Sequence, residues 1–469
     1  MTIPKIIHQI WIGDRKPPFN LMKSWKDNHP DFEYIFWNED EIYKRKMEFK
    51  CIEQINNIAE IVGKVDIIRL EILYKFGGIY IDADSICIQP FDSFFLEQSA
   101  FASFENENIR GNLVATGTMG FIPNHKLCYD IIDWVASPDS TDIISKYKAW
   151  YSVGPACLTR FLDTGDYPDF MVFPSYFFLP HHFTGIKYTG HKKVYAHQEW
   201  CNTDNKYESI NNAVLPYDMT EPDVWISILV SSFNTNETYI QECLLSIREQ
   251  RGHFGIELVW VNDGSNDINS IILKRELSKF KQSTRFCKLI HIKNTKNKGL
   301  SYSLNKGLLL CTNELIFRMD SDDVMYPNRI EKQLEFMNNN MDCMICGTNM
   351  RMLNENKQLG TTTNHPNIII LEDYIENPRH WFMNHPTLCY RKSAILLIGN
   401  YNLSMKSDWI LEDFELGLKM LKKFGKIYNI PDVLLLYRIH SNQSTQLFNT
   451  NSEMNDKCRN EMIENIINS

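Results

Sequence analysis

Residues 76–84, FGGIYIDAD, read as the stop of a helix followed by a short apolar strand that closes on Asp-x-Asp. Residues 315–323, LIFRMDSDD, repeat the second part of that pattern, an apolar strand ending in Asp-x-Asp. Outward from the first stretch, apolar residues recur at helical spacing over 52–76, and Gly77-Gly78 supplies the stop. Residues 3–12 (IPKIIHQIWI) and 32–37 read as buried strands, so the rhythm is β-α-β and the expected sheet is parallel. Polar, Asn-rich sequence over 200–223, with Pro216 and Pro222, suits a linker or a tail packed on the first half. The rhythm then restarts: a strand at 226–230, an amphipathic helix at 240–248, and a strand at 258–261 running into Asn262-Asp263-Gly264-Ser265. Two copies of a similar α/β architecture are expected, 1–220 and 221–469.

A chain of 469 residues with 43% hydrophobic and 23% charged residues has the balance of a globular protein. Its formal net charge of −9 argues against a protein built to hold nucleic acid or anionic lipid. The 12 cysteines are irregularly spaced, which predicts reduced thiols and a cytoplasmic location, and Cys343 with Cys346 lacks the second pair of a zinc site. No run of 18 apolar residues provides a transmembrane anchor, and no basic leader precedes the first strand.

Two carboxylates at i and i+2 on an extended segment point to one side, and at a strand's C-terminal end that side faces the crevice where open α/β sheets bind ligands. Such a pair can share Mg²⁺ or Mn²⁺ while leaving positions for water and phosphate oxygens, which suits a diphosphate leaving group. Each pair alone reads first as a solvated loop, since Asp-x-Asp arises by chance in a chain of this size. A metal-dependent phosphatase or nucleotidyltransferase would also use paired aspartates, but neither accounts for FGGIYIDAD in its helix-strand setting.

Context separates these readings. Lys64-Val65-Asp66-Ile67-Ile68-Arg69, then Tyr74 and residues 76–84, resemble the signature of glycosyltransferase family 32, the Asp-x-Asp sugar-binding type. IPKIIHQIW, Ser24-Trp25, HPDFEYIFW from His29, Val153-Gly154-Pro155-Ala156, and His197 with Trp200 extend the resemblance over nearly all of 1–220. It implies that Trp11 stacks on a uracil-type base, Asp66 and Arg69 bind sugar hydroxyls and phosphates, and Asp82 and Asp84 hold metal and ribose. His197 is then a phosphate or metal partner, and Trp200 an indole donor to the leaving oxygen. His8, in an apolar strand, reads instead as a core histidine.

From Val224 to about Ser444 the chain resembles glycosyltransferase family 2. The matching elements are SILVSSFN from Ser227, LLSIREQ from Leu244, VNDGS from Val261, NKGLSYSLNKG from Asn297, MDSDDVMYPNRI from Met319, NHPTLCYR from Asn384, LEDFELGLKM from Leu411 and LYRIHSNQS from Leu436. The resemblance implies that Phe233 and Asp263 recognise the base, that Asp320 and Asp322 bind metal with Asp323 beside them, and that Lys298 and Gly299 approach phosphate. Arg438 and His440 would complete the diphosphate site, and Asp413 would be the general base; without the family pattern Asp413 reads as a helix N-cap.

The expected protein is therefore a cytoplasmic enzyme of two tandem GT-A type (Rossmann-like) α/β nucleotide-sugar-binding domains, a bifunctional polysaccharide-type glycosyltransferase. It would use Mn²⁺ or Mg²⁺, one per domain, and nucleotide-sugar donors, UDP-sugars first. The acceptor would be a glycan or a lipid- or protein-linked acceptor, with no nucleic acid partner. The first site would retain anomeric configuration and the second invert it. The alternative is one active transferase with the other half a sugar-nucleotide- or acceptor-binding module.

Overall fold

The structure, a computed structural model, describes residues 2–204, 206–403, 411–441, 443 and 452–468. Asn442 and Ser444, at the end of the second resemblance, lie outside the described residues. The chain divides into two compact units: unit 1 is residues 1–188 with 193–220, and unit 2 is residues 189–192 with 221–469.

Among the described residues, unit 1 has eight strands: β1 (Ile6–Ile10), β2 (Glu33–Trp37), β3 (Gly78–Ile81), β4 (Ser85–Cys87), β5 (Ala100–Phe104), β6 (Val114–Phe121), β7 (Phe170–Phe173) and β8 (Ala196–Gln198). Six form a sheet of order β2-β1-β3-β6-β5-β7, and β4 pairs with β8. β1 runs parallel to both β2 and β3, the β-α-β arrangement expected. The periodic stretch 52–76 is two helices, Ile52–Asn57 and Ile61–Phe76, and the second is capped at Gly77 with φ of 63°. Ile7, Ile79 and Ile81 bury into one core, and Ile10 and Tyr80 into another, so strand alternation serves two covered faces. Within 200–223, Cys201 and Ile210 join Leu21 and Ile86 in a small apolar cluster, so this tail packs on unit 1.

Unit 2 continues with β9 (Trp225–Ser232), β10 (Gly255–Asn262), β11 (Cys287–Lys293), β12 (Leu315–Asp320), β13 (Val324–Met325), β14 (Ile345–Asn354), β15 (Leu359–Thr362), β16 (Ile368–Ile369), β17 (Cys389–Arg391) and β18 (Ile427–Ile439). Its sheet runs β11-β10-β9-β12-β17-β14-β18-β13, and the first four strands are parallel. Ile226, Ile228 and Val230 face one apolar core and Leu229 the other, which explains why these strands read as unbroken apolar runs. Both units are thus α/β with parallel, Rossmann-like strands, the class expected of GT-A type domains. All twelve cysteines are free thiols. Among the described residues, no helix is long and apolar enough to cross a membrane.

Candidate active sites

In an open α/β sheet the ligand crevice lies beyond the strand C-termini where strand order reverses. In unit 1 that point falls between β1 and β3, the former running into Trp11 and the latter into Asp82. The aspartates do not sit on an extended segment, as the i, i+2 argument assumed. Asp82, Ala83 and Asp84 form a tight turn in which the Ser85 N–H donates to the Asp82 carbonyl at 3.1 Å. Asp82 Oδ1 accepts from Tyr80 Oη at 2.7 Å and lies 3.5 Å from Arg69 Nη1. Gly117 lies opposite, where a Cβ would come 2.8 Å from Asp82 Oδ2 and push that carboxylate aside.

The helix Ile61–Phe76 places Asp66 and Arg69 one turn apart, and they are a buried pair rather than a surface one, with Nη2 to Oδ1 at 2.9 Å and Arg69 only 5% exposed. Arg69 also donates to the Thr116 carbonyl at 2.5 Å and lies over the Tyr80 ring at 4.3 Å. Burial pushes the Asp66 carboxyl up to about 6, against the pull of Arg69. Asp84 is raised too, by burial and then by the Asp82 charge, although it accepts from the Gln198 amide and from the Cys201 N–H at 2.8 Å.

Other expected residues of unit 1 are placed as follows. Trp11 is half-buried, its indole N–H donating to the Arg15 carbonyl at 2.6 Å and its ring edge-on to Tyr207. His197 is buried with Nε2 3.1 Å from Glu199, and its Nδ1 has no hydrogen-bond partner. Trp200 departs from expectation: its indole N–H donates inward to the His181 carbonyl at 2.8 Å, and the ring packs on His182 and Phe183. That N–H is therefore not presented to a leaving oxygen. His8 is a neutral core residue, accepting from the Trp37 indole at Nδ1 and donating from Nε2 to the Gly77 carbonyl, with its pKa lowered to about 4 by burial.

In unit 2 the order reverses between β9 and β12, flanked by Phe233 after one strand and Asp320 at the end of the other. Phe233 is 48% exposed, an aromatic face free to stack. Asp263, following β10, accepts from Asn294 Nδ2 and the Lys298 N–H at Oδ1 and from the Gly299 N–H at Oδ2, so it shapes the loop that carries exposed Lys298. Gly264 makes this fit possible with φ of 72°, since a Cβ there would lie 2.2–2.6 Å from the backbone of Lys296 and Asn297.

The three carboxylates of Asp320, Asp322 and Asp323 each have one basic-residue partner. Arg318 Nη1 bonds Asp320 Oδ2 at 2.6 Å, His440 Nε2 lies 2.8 Å from Asp322 Oδ2, and the Arg438 backbone N–H donates to Asp323 Oδ1 at 2.8 Å. Burial raises Asp320, and it raises Asp323 well above the carboxylate range, reinforced there by the charges of Asp322 and Asp320. Asp323 Oδ2 is buried without a partner. Arg438 also departs from expectation: its guanidinium is 1% exposed, donates to the Asp322 carbonyl at 2.7 Å and pairs with Glu242, so it braces the aspartate turn and does not face an open phosphate site.

Asp413 is the second residue of the helix Glu412–Phe424, whose N-cap is Leu411, so it is not the cap; its Oδ1 accepts from the Phe414 N–H at 2.8 Å. Burial and then the neighbouring Glu412 push it up to about 8, a poise suited to taking a proton.

Sequence reasoning passed over Tyr80 and Arg318. Each stands two residues before the leading aspartate on the same strand and bonds it, and the i, i+2 rule of strands was the available signal. It also passed over Gln198 and Glu242, for which nothing local gives a signal.

Residues 19–101 match the family described as glycosyltransferase sugar-binding region containing DXD motif, and residues 227–397 match glycosyl transferase family 2. The chain is 28% identical to the amylovoran biosynthesis glycosyltransferase AmsE of Erwinia amylovora over 223 residues, 46% of this chain and 76% of AmsE. It is 38% identical to the O-antigen biosynthesis glycosyltransferase WbnJ of Escherichia coli over 149 residues, 31% of this chain and 56% of WbnJ. Among solved structures, S. aureus TarS in complex with UDP-GlcNAc is similar with a TM-score of 0.38 and 16% identity, covering 48% of this chain and 61% of that one. The chain is a glycosyltransferase. Its composition is two-part, a DXD sugar-binding region in unit 1 and a family 2 domain in unit 2.

Proposed function

We infer that both units transfer sugar, one domain ending near residue 220 and the other beginning there, each with its own nucleotide-sugar donor. The observation that carries this reading is the recurrence of a carboxylate cluster at the strand-order switch of both sheets, in which burial holds Asp84, Asp320 and Asp323 above their ordinary pKa.

The residues fit a divalent cation. Asp323 Oδ2 is a buried acceptor with no donor, and hard carboxylate oxygens suit Mg²⁺ or Mn²⁺. Among the described residues, no set of three or more His, Cys, Asp or Glu side chains would hold an ion alone, which suits a site shared with a diphosphate. Asp82 with Asp84 in unit 1, and Asp320 with Asp322 in unit 2, would hold the ion, whose chemistry there is neutralisation of charge on the departing diphosphate. In unit 2, Phe233 stacks on the base, the remaining lone pair of Asp263 Oδ2 accepts from a base N–H, and Lys298 meets phosphate. Asp413 takes the proton of the acceptor hydroxyl from the face opposite the leaving group, so this transfer inverts. In unit 1, Trp11 stacks on the base, His197 meets the phosphates through Nδ1, and transfer retains configuration, as the family resemblance implies.

UDP-sugars are the first donors to try. The two named relatives act in amylovoran and O-antigen biosynthesis, which supports a polysaccharide or its lipid-linked precursor as acceptor. Twelve free thiols support a cytoplasmic site of action.

One observation favours the alternative of a single active unit: both Asp84 carboxylate oxygens already accept N–H donors. Alanine at Asp82 and Asp84, or at Asp320 and Asp322, decides between them. Nucleotide release from a panel of UDP-, GDP- and dTDP-sugars with Mn²⁺ should lose one donor's signal per double mutant. If the first pair changes no product, unit 1 is a binding module.

A further inference from the structure

A nucleotide site in unit 1 needs a cation for the diphosphate, and the residues already placed there do not offer one. Arg69 is buried and engages Asp66, Asp82 and the Thr116 carbonyl, and the Trp200 indole N–H is satisfied inward. The chain leaving β1 carries another candidate. Trp11 is the first residue after that strand, and its indole N–H donates to the Arg15 carbonyl at 2.6 Å, which folds the loop back and keeps Arg15 beside it. The Arg15 guanidinium lies over the Tyr207 ring, 3.9 Å from its centroid, and Trp11 meets the same ring edge-on at 6.2 Å.

Tyr207 belongs to the polar tail that follows β8. Hydrogen bonds tie this tail to the site: the Cys201 N–H donates to Asp84 Oδ2 at 2.8 Å, the Tyr207 hydroxyl donates to Asn202 Oδ1 at 3.0 Å, and Asn20 Nδ2 donates to the Asn211 carbonyl at 2.9 Å. The Tyr207 ring packs against the cluster of Leu21, Ile86, Cys201 and Ile210. The tail thus runs from the aspartate turn to the end of β1 and brings an aromatic ring to both Trp11 and Arg15. Arg15 itself is exposed, and among the described residues no carboxylate pairs with it. A guanidinium stacked on a ring keeps its N–H edge open while its orientation is already restricted, so little order is lost when an anion arrives.

Resting on the reading of Trp11 as the base-stacking residue of unit 1, we propose that Arg15, held on Tyr207, contacts the phosphates of the nucleotide, and that the tail carrying Tyr207 completes this donor site.

The test is calorimetric binding of UDP and of GDP, with Mn²⁺, to the full chain at low and at high salt. Phe233→Ala, Asp320→Ala and Asp322→Ala are present throughout, to remove the base and metal contacts of unit 2. Arg15→Gln should weaken the diphosphate that binds by about tenfold or more at low salt, as expected for loss of a hydrogen bond to a charged group. The loss should shrink at high salt, where exposed charges are screened, and Arg15→Lys should recover most of the affinity. Tyr207→Leu frees the guanidinium from its ring and should weaken binding a few-fold; unchanged affinity there overturns the role of the tail. A merely structural Arg15 would give a loss that neither salt nor lysine alters. That result, or unchanged binding in Arg15→Gln, overturns the proposal.

Trp11→Ala separates the two levels of inference. If it leaves the affinity intact, or if the parent chain binds neither diphosphate, the nucleotide site of unit 1 is itself misplaced and the proposal falls with it. If Trp11→Ala abolishes binding while Arg15→Gln does not weaken it, only the role of Arg15 fails.

Discussion

In unit 1 the residue two before the leading aspartate is Tyr80; in unit 2 it is Arg318, and both bond that aspartate at 2.6–2.7 Å. Unit 1 brings its guanidinium from outside the strand, on the helix Ile61–Phe76, where Arg69 stands 3.5 Å from Asp82 and also holds Asp66. Unit 2 carries the guanidinium in the strand itself. The same electrostatic requirement, a positive charge beneath a half-buried carboxylate turn, is therefore met by two different sequence solutions. The difference extends to the acceptor side, since Asp413 has the raised pKa of a base and the resemblance of unit 1 implies none.

That contrast is broken or sharpened first at Asp413. Asparagine keeps the shape and removes the proton acceptor, so kcat for the unit 2 donor should fall about 10²- to 10⁴-fold with little change in donor KM. Release from the unit 1 donor should not move. An equal loss at both sites would mean that the chain has one reaction centre.

The next effect is on stability. Arg69 lies buried between Asp66, Asp82 and the Thr116 carbonyl, and Arg69→Gln leaves two carboxylates without their cation. Breaking a buried pair from one side costs about 3–5 kcal/mol. The urea midpoint of the unit 1 transition should drop accordingly while that of unit 2 stays. An unchanged midpoint would mean that Asp66 and Asp82 are balanced by something other than Arg69.

A smaller effect concerns both clusters together. Asp66, Asp84, Asp320, Asp323 and Asp413 are all raised above their ordinary value, burial being the first cause in each. The folded chain therefore keeps protons that the unfolded chain releases near pH 4. This contribution to stability is fully present below that value and is lost as pH rises through the folded values, about 6 for Asp66 and about 8 for Asp413. The Tm of chelator-treated protein should fall between about pH 5 and pH 8, and Mn²⁺ should restore more of it at pH 8 than at pH 5. A flat profile would show that the carboxylates are already balanced without metal.

These contrasts also show what the sequence could and could not convey. The parallel strands were legible because both faces are covered, leaving unbroken apolar runs such as WISILVSS and GIELVWVN. The aspartate pairs are legible as motifs, but not their backbone: each pair spans the turn that follows its strand and not an extended segment. Trp200 and Arg438 were placed facing the diphosphate, yet both are satisfied inward by partners distant in sequence, the His181 carbonyl and Glu242. A buried donor takes whatever acceptor the fold provides, and the local sequence around it does not name that acceptor.

The finest test lies at Tyr80 itself. Its hydroxyl gives Asp82 a neutral hydrogen bond, and Tyr80→Phe removes that bond while keeping the ring under Arg69. A hydrogen bond to a charged group contributes about 1.5–3 kcal/mol where nothing replaces it, but Arg69 remains close to Asp82, so the expected loss is nearer 1 kcal/mol. Phenylalanine adds or removes no charge, and it frees one lone pair of Asp82, so Mn²⁺ affinity at unit 1 should change by less than about threefold. If Tyr80→Phe instead shifted Mn²⁺ binding by about tenfold or more, the hydroxyl would be as strong a support of its aspartate as a cation is, and the distinction between a borrowed and a built-in cation would lose its force.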